Sequence, residues 1–157
     1  MLLLLLCGCA GKQEADVTKE MREASGFSSY AKAQCGDKEY GFTVKKDPQA
    51  VSIAIETPET LKGFSVSLTQ ETYTIGYNGI TFQTDRLPEN MEKVIGPIFA
   101  LLEAIGKEEG ESLPDGTFEF STSKWSAVCQ FDMDSKTPLV LQVGDDFTLT
   151  FTEFTYT

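Results

Sequence analysis

The chain predicts an α+β fold, an antiparallel sheet whose apolar face is covered by a helix. Three observations predict it. Apolar side chains recur at every second position from Phe27 to Phe82, the period of strands with one buried face. They recur at helical spacing between Pro88 and Lys107. The period then returns to two from Phe118 to Phe151, and no repeat or low-complexity block divides the stretch from 27 to 157.

In chain order, Gln13 to Ser25 is polar with Val17, Met21 and Ala24 at spacings of four and three. That spacing predicts a short amphipathic helix, with Gly26 as its C-terminal cap. Ser29, Ala31, Ala33 and Cys35 then alternate with Tyr30, Lys32 and Gln34, and Gly36-Asp37 turns the chain. Tyr40, Phe42 and Val44 form the next apolar row, followed by Val51, Ile53 and Ile55, then Phe64, Val66 and Leu68. Tyr73, Ile75 and Tyr77 lead into Asn78-Gly79, a pair suited to the positive φ angles of a type I′ hairpin turn. Ile80 and Phe82 begin the return strand. Six such strands with a Ser/Thr-rich opposite face predict a meander that is wet on one side.

The cover is the segment 88–107, where Met91, Val94, Ile95, Ile98, Leu101, Leu102 and Ile105 share one helical face. Pro88 suits a first turn and Gly106 a C-terminal stop. Gly96-Pro97 is expected to kink the helix or split it, because proline removes a donor and crowds the preceding turn. Glu108 to Ser112 is expected to be a solvated acidic loop. Strands resume at Phe118/Phe120, Ala127/Cys129/Phe131, Leu139/Leu141/Val143 and Phe147/Leu149/Phe151. The apolar positions then slip to Phe154 and Tyr156, which predicts a bulge.

A formal charge of −11 and the absence of any histidine narrow the chemistry. The charge opposes nucleic-acid binding, since phosphates demand clustered Lys and Arg. Without histidine there is no Ser-His-Asp or Cys-His catalysis and no His-ligated zinc. Asp132-Met-Asp134 and Asp145-Asp146 lack the glycine and closing glutamate of a calcium loop, and are expected to be turn residues. Glu108, Glu109 and Glu111 are expected to be a surface charge run rather than paired catalytic acids. Tyr30, Tyr40, Tyr73, Tyr77 and Trp125 are expected to be core aromatics rather than a sugar-stacking platform. No metal, no cofactor and no enzymatic activity are expected.

The first dozen residues set the compartment. A leucine run followed by Leu6-Cys7-Gly8-Cys9 resembles the lipobox of bacterial lipoproteins. The resemblance implies that residues 1–8 are signal peptide and that Cys9 is lipidated, with 9–26 serving as tether and short helix. The protein would then be anchored by acyl chains to the outer face of a membrane. No other apolar run approaches the roughly 18 residues that span a bilayer. Outside the cytosol, Cys35 and Cys129 are either joined by a disulfide or are two separate buried thiols.

This layout, a lipidated N-terminus, a helix, many antiparallel strands, a helical insert at 88–107 and further strands, resembles the periplasmic lipoprotein-carrier superfamily. More narrowly it is similar to small Gram-positive lipoproteins of that fold, around Pro58-Glu-Thr-Leu61-Lys-Gly63-Phe-Ser-Val-Ser-Leu68 and Tyr77-Asn-Gly-Ile-Thr-Phe82. The resemblance implies a strongly curved antiparallel sheet, a half-barrel, with helices on its concave apolar face. It also implies a lipid or other apolar ligand held between sheet and helices, lined by Phe64, Val66, Ile75, Ile98, Leu102 and Ile105. The competing expectation is a surface lipoprotein that binds a partner protein through the polar sheet face or an edge.

Overall fold

The computed structural model describes residues 16–157. A short helix, α1 (Lys19–Glu23), precedes six strands: β1 (Phe27–Cys35), β2 (Lys38–Lys46), β3 (Val51–Thr57), β4 (Phe64–Thr69), β5 (Thr72–Tyr77) and β6 (Ile80–Thr84). Helix α2 (Glu89–Lys107) follows. The chain ends with β7 (Glu111–Ser112), β8 (Thr117–Ser121), β9 (Ser126–Phe131), β10 (Pro138–Val143) and β11 (Phe147–Tyr156).

All strands join one open antiparallel sheet in the order β6-β5-β4-β3-β2-β1-β11-β10-β9-β8-β7. The expected meander is its first half, and the C-terminal strands continue the same sheet. The seam is β1 against β11, with Ala31 opposite Phe151 and Ala33 opposite Leu149. Small residues on β1 leave room there for the larger side chains of β11. This architecture fits a curved sheet with one main helix.

Local signals explain much of the detail. Asn78 and Gly79 carry φ of 50° and 83°, as the type I′ turn requires. The slip toward Phe154 is a bulge: Ser28 and Tyr30 pair with Thr155 and Thr152, so β11 carries one extra residue there. Glu153, inside that interval, takes a positive φ of 52°.

Other expectations are corrected. Gly26 does not cap α1, which stops at Glu23 with Ala24 extended. Instead Gly26 exchanges backbone hydrogen bonds with Thr157, and a β-carbon there would stand 2.5 Å from the Lys46 carbonyl oxygen. Close approach, not helix termination, demands this glycine. Helix α2 is not split at Gly96-Pro97 but continues from Glu89 to Lys107 as one helix with Pro97 inside it. Its face from Ile95 to Ile105 is buried, and that packing outweighs the lost donor. The helix also passes Gly106, ending at Lys107 with Glu108 left-handed at φ 56°. Glu111–Ser112, expected to be loop, pairs with β8 as the short edge strand β7.

One core cluster unites the apolar sheet face with α2 and α1. Ile98 and Leu101 from α2, Phe42 and Val44 from β2, and Leu141 and Leu149 from β10 and β11 are fully buried in it. Each such side chain contributes about 1.5–3 kcal/mol of transfer free energy.

The disulfide is not formed. Cys35 ends β1 while Cys129 lies on β9, with β11 and β10 between them, and both thiols are free. Three strand spacings of about 4.8 Å exceed the roughly 7 Å Cα separation a disulfide tolerates. Cys129 is the buried thiol of the competing expectation, and burial pushes it far above the ordinary thiol range.

Candidate functional site

Cross-strand register arranges the apolar face into rows. Val51, Leu68 and Tyr73 form one row across β3, β4 and β5. Ile53, Val66, Ile75 and Phe82 form the next, extending to β6. Phe64, Tyr77 and Ile80 form a third. The first row is half-buried, and the second is fully buried until it reaches Phe82.

Beside the first row lies a groove of about 530 Å³, lined also by Phe99, Leu102 and Ile105 of α2 and by Met21 of α1. Spacings of three put Phe99, Leu102 and Ile105 along one stripe of the helix. The Phe99 ring meets Tyr73 edge-on, with centroids 5.5 Å apart and planes at 70°. The volume falls within the roughly 300–1,000 Å³ of small-molecule sites.

The rim is charged but balanced. Lys107 pairs with Glu103 at 2.5 Å. Arg22 pairs with Asp16 at 2.7 Å and approaches Glu108 at 3.5 Å. Lys46 donates from Nζ to the Met21 carbonyl at 3.4 Å, and burial lowers the pKa of its ammonium. Burial, with the carboxylates of Glu103 and Glu92, raises the pKa of the Tyr73 phenol. The floor is apolar, while the rim carries charges of both signs, of which Lys107–Glu103 is paired within the lining and Lys46, Asp47 and Glu71 make no ion pair among the described residues.

The expected cavity residues divide. Leu102 and Ile105 line this groove. Val66, Ile75 and Ile98 are buried at 1%, 1% and 0% exposure, packed in the core. Phe64 lies in the third row, stacked on Tyr77 with centroids 4.1 Å apart. Met21, Val51, Leu68, Tyr73 and Phe99 line the groove without having been expected there. Their signal was present, since each holds an apolar position of its period, but the period does not say which end of the face stays open. Cys9 lies outside the described residues. A second cleft, lined by Cys35, Asp37, Lys38, Tyr40, Glu89 and Lys93, is more polar. Among the described residues no acidic, Cys or His cluster suits a metal ion, and no helix is long and apolar enough to cross a membrane.

No family model matches the chain, and no curated protein matches it. Solved structures do. An uncharacterized conserved protein from Thermus thermophilus superposes with a TM-score of 0.58 at 12% identity, covering 89% of this chain and 83% of that one. PNGF-II matches at a TM-score of 0.45 and 6% identity over 85% of this chain and 29% of its own. A LolA superfamily protein from Nitrosomonas europaea matches at 0.43 and 7% identity, over 88% and 89% of the two chains. Of these three, the first is similar enough to share a fold, and at that identity the likeness concerns fold alone.

Proposed function

We propose that the protein is a non-enzymatic, extracytoplasmic lipoprotein, anchored through Cys9, that holds a lipid acyl chain or similar apolar ligand between sheet and helix. In this reading the sheet curves around α2 as a half-barrel, and the helix is the lid of the site. The groove carries the proposal: its floor of Val51, Leu68, Tyr73, Phe99 and Leu102 is apolar yet only partly filled by the protein. An apolar ligand laid there would cover the half-buried Val51, Leu68, Tyr73 and Leu102, which favours its binding. The Leu6-Cys7-Gly8-Cys9 stretch supports the anchor and the compartment.

Protein purified from a bacterial membrane extract should carry co-purified lipid in native mass spectrometry. A polarity-sensitive dye should enter the delipidated protein and be excluded by Leu102→Arg, whose melting curve should stay close to wild type. A clean apo mass together with no dye uptake would refute ligand binding.

A further inference from the structure

The two edges of the sheet are built differently. At one end β7 is two residues long and carries the exposed Glu111. At the other, β6 (Ile80–Thr84, ITFQT) has no charge, no proline and a continuous register with β5. Short strands, charges, prolines and bulges are the usual protections of an edge, and β6 has none of them. It also holds the two most exposed large apolar side chains among the described residues, Ile80 at 75% and Phe82 at 54%.

We propose that β6 is a self-association edge that pairs antiparallel with β6 of a second copy of this chain, the two-fold axis passing through Thr81. The hairpin fixes the hydrogen-bonding parity. Its two-residue turn closes on Tyr77 and Ile80, a pair that exchanges backbone hydrogen bonds. Ile80, Phe82 and Thr84 therefore direct their N–H and C=O groups into β5, while Thr81 and Gln83 direct theirs outward. A two-fold axis at Thr81 bonds it to Thr81 of the second copy. That register sets Ile80 opposite Phe82 of the second copy, and Phe82 opposite its Ile80. Both are non-hydrogen-bonded pairs, in which side chains approach most closely. Both exposed apolar residues are then covered on both copies.

Charge selects the same contact. Two chains of charge −11 repel each other over most of their surface, but nothing ionised stands on β6. Asp85 and Arg86, just beyond it, pair with each other at 3.8 Å. A bilayer is the poorer occupant, because lipid tails cannot satisfy the outward N–H and C=O groups of Thr81 and Gln83. A five-residue ladder with two apolar pairs falls below the roughly 1,200 Å² of a standard interface, so the dimer is weak and reversible.

Sedimentation of the full chain over a concentration series should show a monomer–dimer equilibrium that strengthens with salt as repulsion is screened. Phe82→Lys sets a charge beside the two-fold axis, and Thr81→Pro removes only an outward donor, a substitution an edge strand tolerates. Each should weaken dimerisation about tenfold or more, which is about 1.4 kcal/mol, with unchanged circular dichroism. A monomer at every concentration, or a dimer indifferent to both substitutions, overturns the proposal. So does a monomer whose Phe82→Lys variant loses binding to phosphatidylcholine vesicles, which would assign the edge to a lipid surface.

Discussion

The Trp125 indole lies so close over Gly96 that a β-carbon at position 96 would stand 2.7 Å from Trp125 Cη2. This contact ties the β8–β9 hairpin to the middle of α2. The Trp125 backbone is fixed in its turn, its amide donating to Thr122 Oγ1 at 3.0 Å and its carbonyl accepting from the Thr122 amide at 2.7 Å. The Lys124–Glu92 ion pair adds a second link between the same elements. Gly96, beside the proline expected to kink or split the helix, is thus the seat of a ring.

Gly96→Ala separates two opposing effects. Helix propensity favours alanine by about 1 kcal/mol, while overpacking against the indole costs about 1–3 kcal/mol. Wild type should therefore be more stable by about 1 kcal/mol in urea unfolding, followed by the emission of Trp125, the chain's one tryptophan. In a Trp125→Ala background, followed by circular dichroism, the same substitution should become stabilising. Equal effects in both backgrounds would show that the ring does not constrain position 96.

The two thiols should react differently. Cys129 is buried at 0% exposure and held protonated, whereas Cys35 is half-buried beside a polar cleft. Alkylation of the native protein, mapped by peptide mass, should modify Cys35 first and Cys129 only after unfolding. A peptide carrying Cys35 linked to Cys129 in unreduced protein would contradict the strand order.

Acid should loosen the contacts that Asp16 makes with Thr18 and Arg22 at the start of α1. Burial alone would raise the Asp16 carboxyl pKa, but hydrogen bonds from Thr18 and Arg22 outweigh it and hold it below its ordinary value. A depressed folded pKa means the stabilisation is complete above the unfolded aspartate value of about 3.9 and disappears as pH falls through the lower folded value. Melting temperatures of wild type and Asp16→Asn should differ at neutral pH and converge in acid below that range. A difference independent of pH would show that the carboxylate charge contributes nothing.

Features that depend on neighbours along the chain were legible before any fold was known. Alternation from Phe27 to Phe82 marked the strands and their apolar face, Asn78-Gly79 marked a hairpin, and the slip at Phe154 marked a bulge. Features that depend on distant partners emerge with the three-dimensional packing. It set β1 against β11, which makes a single sheet and keeps Cys35 three strands from Cys129. It carried α2 through Pro97, because burial of one face outweighs one missing hydrogen bond. It also sorted the apolar residues into buried Val66, groove-lining Leu102 and exposed Phe82. The physical reason is that a period of two or of 3.6 fixes which side chains share a face, while pairing and coverage are settled by long-range packing that no local window contains.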